Sequence, residues 1–202
     1  MPALAARRAV LLAALAGSLA ACETPAPPQS FAPLSYDYLT KLRLRVVTID
    51  IDDAYTAATV ANGEHMEAQA PESPAAALRR MAQDRLVAGG EGGHAVFTIQ
   101  DAALVRIGDR YEADFAVHLD VTSADGTRSG YASARVTRTR QISDYTPEGT
   151  RRELYALTKA AMDDMNVEFE YQVRKSLRDY LMSPGDAPAP VEQQDLGSPP
   201  KS

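Results

Sequence analysis

The sequence predicts an α+β fold: a mostly antiparallel sheet of about four strands with two helices on one face, in the order β-α-β-β-β-α. Three observations carry this prediction. Residues 41–52 and 111–140 alternate apolar with polar side chains, as half-buried strands do. Helical apolar patterns flank the strand block on both sides, and an Asp125-Gly126 pair sits midway between two alternating runs as a hairpin signal.

Proline sets the bounds of the domain. Of 13 prolines, only Pro71, Pro74 and Pro147 fall within residues 36–182, which is therefore the predicted folded domain. Residues 22–35 read as an extended Pro-rich tether, because proline fixes φ and removes a donor. Residues 183–202 read as a disordered Pro-rich tail.

Within the domain, "KLRLRVVTIDID" is rich in β-branched residues, but its apolar parity changes midway. Leu42, Leu44 and Val46 share one face and Val47, Ile49 and Ile51 the other, which implies either a bulge near Val46 or a strand covered on both faces. A loop follows over residues 54–72, long enough to suggest function or mobility. Ser73 then caps a helix with Pro74 in its first turn, Leu78, Met81, Ala82 and Leu86 as its buried stripe, and Gly89 as its stop. "HAVFTIQDAALVRI" is the next strand. If Asp125 and Gly126 form the following turn, paired residue numbers sum to a constant. Val121 then meets Gly130, Leu119 meets Ala132, Val117 meets Ala134 and Phe115 meets Val136, with large residues facing small ones. The opposite face, with Asp120 against Tyr131 and His118 against Ser133, reads as solvated. The last helix is predicted over residues 150–182 with a Thr150/Glu153 capping box. At about 1.5 Å per residue it is too long for a spherical domain of this size, so a bend or break is expected near residues 163–166.

The N-terminus carries the most specific signal. Arg7 and Arg8 precede thirteen mostly apolar residues, spanning only about 20 Å as a helix, against the roughly 30 Å of a bilayer core. Residues 1–21 therefore read as a cleaved signal peptide. Leu19-Ala20-Ala21-Cys22 resembles a bacterial lipobox, which implies that Cys22 is lipid-modified and becomes the first mature residue. Cys22 is the only cysteine, so it has no disulfide partner within the chain. In the lipoprotein family, aspartate after the cysteine favours retention at the inner membrane. Glu23 here implies anchoring at the periplasmic face of the outer membrane. The net charge of −6 becomes more negative without Arg7 and Arg8, which disfavours nucleic acid as a partner.

Few patterns suggest chemistry. "DIDD" at residues 50–53 fails the EF-hand spacing, because Tyr55 and Ala61 occupy the glycine and glutamate positions. "GGEGGH" lies after a helix and before a strand, the reverse of a phosphate-cradling loop, and reads as a flexible connection. His65, His94 and His118 lack metal spacing, and no nucleophile-elbow motif is present, so no catalytic residue, metal or cofactor beyond the lipid is expected. The candidate lipid- or anion-binding set is Arg135, Arg138, Arg140, Arg151 and Arg152, which falls at one end of the domain. A solvated strand face paired with Glu112 and Asp114 is the competing account of the same arginines.

The lipobox, the tether, the strand-turn-strand ending in "RVTRTRQ" and the long final helix together resemble small accessory lipoproteins of the bacterial envelope. They are similar both to the lipopolysaccharide-assembly lipoprotein and to the auxiliary lipoproteins of ABC-type transporters. The resemblance implies a non-enzymatic, membrane-anchored subunit docked on a transporter or an outer-membrane barrel. A different role, a tethered periplasmic module that regulates a cell-wall synthase, fits the same layout. An enzyme is a third possibility, in which changing His118 or His94 would abolish hydrolysis.

Overall fold

The computed structural model describes residues 30–57 and 63–183; the signal segment, Cys22, most of the tether and nearly all of the tail lie outside them. In chain order the elements are β1 (Leu42–Leu44), β2 (Thr48–Asp53), β3 (Gly63–His65), α1 (Pro74–Arg85), β4 (Leu86–Ala88), β5 (His94–Ile107), β6 (Arg110–Thr122), β7 (Ser129–Gln141) and α2 (Pro147–Ser176). Single 3-10 turns occupy Glu67–Gln69 and Arg178–Tyr180. The class is α+β, as predicted. The main sheet runs β2-β5-β6-β7, with β3 beside the far end of β5, and β1 and β4 form a second sheet. The β5/β6 and β6/β7 ladders are antiparallel.

The parity change in residues 41–52 has a cause that neither expected account supplies: the strand breaks. β1 pairs parallel with β4 and β2 pairs parallel with β5, so the chain changes sheet at residues 45–47. Leu42, Leu44 and Val46 are buried, whereas Val47 is exposed. Ile49 and Ile51 pack against the core from the other parity. Both parallel pairs depend on α1 as a crossover, so the first strands are not antiparallel members of the sheet.

"GGEGG" is the segment between β4 and β5 that runs alongside this break. Gly89 and Gly90 donate to the Leu44 and Val46 carbonyls at 3.0 and 2.9 Å, and Val47 donates back to Gly93 at 3.2 Å. A Cβ on Gly90 would stand 2.5 Å from the Arg45 carbonyl carbon, and Gly93 holds φ at +80°. The glycines are therefore required by close backbone approach, and the segment is a defined crossing where a flexible connection was expected.

The β6/β7 hairpin follows its prediction pair by pair, including Val121 with Gly130 and Phe115 with Val136. The loop is wider than two residues, because Ser123 donates to the Arg128 carbonyl and Gly126 to the Ser123 carbonyl. It stays centred on Asp125-Gly126, so the register is unchanged. β5 carries a bulge between Ile99 and Asp101. The loop expected over residues 54–72 is partly regular, since it contains β3 and the first 3-10 turn with Met66 buried.

Three helix boundaries differ from expectation: the end of α1 and both ends of α2, which stops at Ser176 and not at 182. Ser73 takes the N-cap position of α1, but its side chain makes no capping bond. α1 ends at Arg85 and passes directly into β4, so Leu86 is a strand residue and Gly89 stops no helix. α2 begins earlier than predicted: Thr146 is the N-cap, its hydroxyl accepting from Gly149 N–H at 3.0 Å, with Pro147 in the first turn. Thr150 is instead buried within the helix and accepts from the Tyr111 hydroxyl at 3.2 Å, while Glu153 turns away to accept from Ser143.

α2 runs unbroken through residues 163–166 to Ser176. Its 30 residues, about 45 Å long, match the 13-residue strands β6 and β7, each about 44 Å, so no break is needed. The spherical estimate failed because the sheet itself is that long. α2 lies on β6 and β7, and α1 on β5. Their contacts close one core in which Phe97, Phe115, Leu78, Met81 and Phe169 are fully buried, Phe97 and Phe169 meeting edge to face at 5.5 Å. Packing extends to Phe31, earlier than residue 36: Phe31 lies 5.1 Å from the Tyr155 ring, whose hydroxyl donates to the Ala32 carbonyl at 2.7 Å.

Candidate functional site

Strand parity divides the predicted arginine set. In β7 the even residues Ala132, Ala134 and Val136 share the helix-bearing face, and Arg138 follows them there. Arg135 projects from the opposite, open face. It bridges two carboxylates, Asp114 on β6 and Asp101 on β5, the latter at 3.0 Å. Arg138 forms a two-pronged pair with Asp164 of α2. Arg152 reaches back to Asp144 at 2.8 Å, which offsets its unfavourable place near a helix N-terminus. Arg151 lies over the Phe31 ring at 5.7 Å. Arg140 is exposed, with no ion pair among the described residues. The five therefore do not converge on one point, and Asp114 is one of the acidic partners that the solvated-face account names.

These pairs favour the charged forms of Arg135, Arg138, Asp144 and Asp164. The hydrogen bond to Asp114 raises the Arg135 pKa, and the one to Asp164 raises that of Arg138. Asp164 is lowered by Arg138, and Asp144 by the Thr146 hydroxyl and backbone and then by Arg152. The geometry is that of clamps tying β7 to its neighbours and bracing the α2 N-terminus.

On the open face, a cleft of about 420 Å³ lies over the β5 bulge, bordered by Tyr55, His65, Gln100, Asp101, Glu112 and Asp114. At its wall, Glu67 Oε1 accepts from the Tyr55 hydroxyl at 2.8 Å and Leu104 N–H at 3.0 Å, and pairs with His65 Nδ1 at 2.9 Å. Burial acts to raise the Glu67 pKa, but these hydrogen bonds outweigh it and leave the carboxyl below its ordinary value. Burial and the bond to Glu67 push the Tyr55 phenol well above its usual range. Sequence reading missed this grouping, because a long loop brings Tyr55 and Glu67 together.

A second grouping lies higher on the same face. His118 Nδ1 meets Ser133 Oγ at 2.7 Å, and Nε2 meets Asp120 Oδ1 at 3.1 Å, with the Tyr131 ring stacked 5.3 Å away. If Ser133 donates to Nδ1, the Nε2 proton goes to Asp120, which is the tautomer a proton relay requires. The cross-strand pair of His118 with Ser133 predicted this contact; Asp120, two residues along on the same face, completes it. His94 starts β5, opposite Thr122, and is exposed.

The strongest polar network is one the sequence reading did not identify. Arg85, 1% exposed at the end of α1, donates to the Thr40 carbonyl, to Asn166 through both its carbonyl and its side chain, and to Glu170. It joins α1, α2 and the chain before β1. Every guanidinium nitrogen has a partner, so the network reads as structural. Among the described residues no cluster of three His, Cys, Asp or Glu is placed to hold a metal, and no helix is long and apolar enough to cross a membrane.

No family model and no curated protein matches the chain. Among solved structures, it is similar to the crystal structure of protein XCC0632 from Xanthomonas campestris, described under the family model DUF330. Identity is 9% and the TM-score 0.39, over 74% of this chain and 95% of that one.

Proposed function

We propose that the chain is a lipid-anchored, non-enzymatic lipoprotein of the bacterial envelope, serving as an accessory subunit of a lipid or lipopolysaccharide transport or assembly complex. The observation that carries this reading is Leu19-Ala20-Ala21-Cys22, a lipobox ending in the only cysteine, after a charged and then apolar leader. The fold supports it in one respect: Arg135, Arg138 and Arg152 are engaged in internal ion pairs, which leaves the anchor to carry the reading. Anchoring through Cys22 at the periplasmic face of the outer membrane, with a transporter or an outer-membrane barrel as partner, belongs to the same proposal.

The test has two parts. Radiolabelled palmitate should enter the wild-type protein and not Cys22→Ser; labelling of both would sink the anchor. Purification from native membranes in mild detergent should recover a stoichiometric envelope partner, and recovery of the lipoprotein alone would remove the accessory role. The Ser133-His118-Asp120 geometry favours a second reading, an esterase-like hydrolase. A fluorophosphonate probe that labels wild type and not Ser133→Ala would support that reading, and no labelling of either would end it.

A further inference from the structure

The main sheet ends in two long edges of opposite character. In the β6/β7 ladder, Ile142 N–H donates to Asp109 and Arg128 C=O accepts from Ser123, so even-numbered residues of β7 direct their backbone groups at β6. The odd residues from Ser129 to Gln141 turn theirs outward, and no described residue pairs with them. At the other edge, Ala54 N–H donates to Ile99, so even residues of β2 face β5 while Ile49, Ile51 and Asp53 face out. There Arg79 touches both the Ile51 carbonyl and the Asp53 carboxylate at 3.5 Å, and no described strand pairs with the edge. Edges without a paired strand are templates for another strand.

Their side chains are complementary. β7 carries Arg135, Arg138 and Arg140 and no acid; β2 carries Asp50, Asp52 and Asp53 and no base. The two strands point the same way, because each runs with β5. A copy added without inverting the sheet therefore brings β2 parallel to β7. Within one sheet Asp50 lies in the row of Tyr131, through Val96 and Asp120. A stagger of four residues between copies sets Asp50 opposite Arg135 on the open face. On the helix face it sets Ile49 opposite Ala134, Ile51 opposite Val136 and Asp53 opposite Arg138.

Neighbouring staggers match fewer charges. With none, the acids face Tyr131, Ser133 and Ala134; with two residues, Asp52 meets Arg135 but Asp53 is set against Val136; with six, Asp53 meets Arg140 but Ile51 is set against Arg138. Odd staggers put the two apolar faces on opposite sides of the sheet. A groove of about 390 Å³ already runs between β7 and α2, lined by Arg135, Val136, Thr137, Asp164, Val167 and Glu168, with Val167 72% exposed. Arg135 and Arg138 keep their internal partners, and the incoming Asp50 and Asp53 extend those pairs into networks.

We propose that a second copy of this chain occupies the β7 edge, its β2 laid parallel along β7 in the register that faces Asp50 with Arg135 and Asp53 with Arg138. The contact is head to tail, so an open assembly keeps one free edge of each kind at its ends until a ring closes. This assembly stands independently of the functional reading above.

Native mass spectrometry of the full-length protein in non-ionic detergent, counting chains per particle, tests it. Wild type should give multi-chain particles. Asp50→Arg/Asp53→Arg and Arg135→Glu/Arg138→Glu should each give single chains, and mixing the two variants should restore assemblies containing equal amounts of both. Thr137→Pro, which removes an outward N–H from the edge and leaves the internal ladder and ion pairs intact, should also give single chains. Its far-ultraviolet circular dichroism should match wild type, which keeps the test decisive if a charge variant misfolds. Single chains in the wild type would overturn the proposal. So would multi-chain particles that survive both charge variants, or a dimer lost only with the β7 variants, since that would be β7 against β7.

Discussion

Two sets of arginines divide this molecule. Arg135 and Arg138 stand out in the sequence as a cluster and make exposed ion pairs, their side chains 58% and 46% accessible. Arg85 stands out in nothing: it is one basic residue near the end of an amphipathic helix. Yet it is the buried one, and it joins three segments that are otherwise far apart in sequence. Clustering along a strand advertises charge, whereas burial decides its energetic weight. In water an ion pair competes with solvent, and in the interior each unsatisfied partner is a full desolvation cost.

The largest expected effect follows from that difference. Arg85→Met keeps much of the stem volume but strands the Thr40 carbonyl and the Asn166 side chain. Breaking a buried pair typically costs about 3–5 kcal/mol. At about 2–4 °C per kcal/mol for a domain of this size, the thermal midpoint should fall by roughly 10 °C. A midpoint within a degree or two of wild type would mean that the buried network carries no more stability than the exposed one.

Acid titration sharpens the same contrast. Burial acts to raise the Glu170 carboxyl, but hydrogen bonds from Arg174 and Arg85 outweigh it, leaving the pKa below 4.5. A carboxylate depressed on folding stabilises the native state above its unfolded pKa, and that stability is lost as pH falls through the folded value. Wild type should therefore lose stability as the pH drops below about 4.5. Glu170→Gln should lower stability at neutral pH and flatten the acid limb in denaturant titrations. Equal acid slopes would remove Glu170 from the account.

How much of this was legible depends on how far apart the deciding residues lie. The β6/β7 register could be read because Asp125-Gly126 and the flanking alternation are local, and a widened loop with the same centre left every pair intact. The break between β1 and β2 could not be placed, because what divides them is pairing with β4 and β5, some forty residues on. Arg85 was invisible for the same reason, its partners being Thr40, Asn166 and Glu170. The division of the arginines was legible and missed: Arg135 is odd, Arg138 and Arg140 are even, and the hairpin register already assigned those parities to opposite faces.

A smaller effect separates the true start of α2 from the predicted one. Thr146→Ala removes the hydroxyl that accepts from Gly149 N–H and should cost about 1 kcal/mol, or roughly 3 °C. Thr150→Ser removes a methyl and keeps the hydroxyl that Tyr111 reaches, so it should cost less than the cap. No loss from Thr146→Ala would remove Thr146 as the residue that caps the helix.

The smallest effects belong to the residues that looked most functional. Arg135→Ala should change stability by about 0.2–1 kcal/mol, the range measured for exposed pairs, Arg138→Ala should change it less, and both losses should shrink as salt is added. Arg135 is the more costly of the two, because removing it leaves Asp101 and Asp114 side by side on adjacent strands without the cation between them. Two like charges on neighbouring strands repel, so Asp101→Asn placed on Arg135→Ala should recover part of the loss. The corresponding change at Asp164 should recover less for Arg138→Ala, since the neighbouring acid there, Asp163, is already paired with Lys159. Equal rescue at both positions would show the two clamps to be alike, and the contrast within the exposed set would disappear.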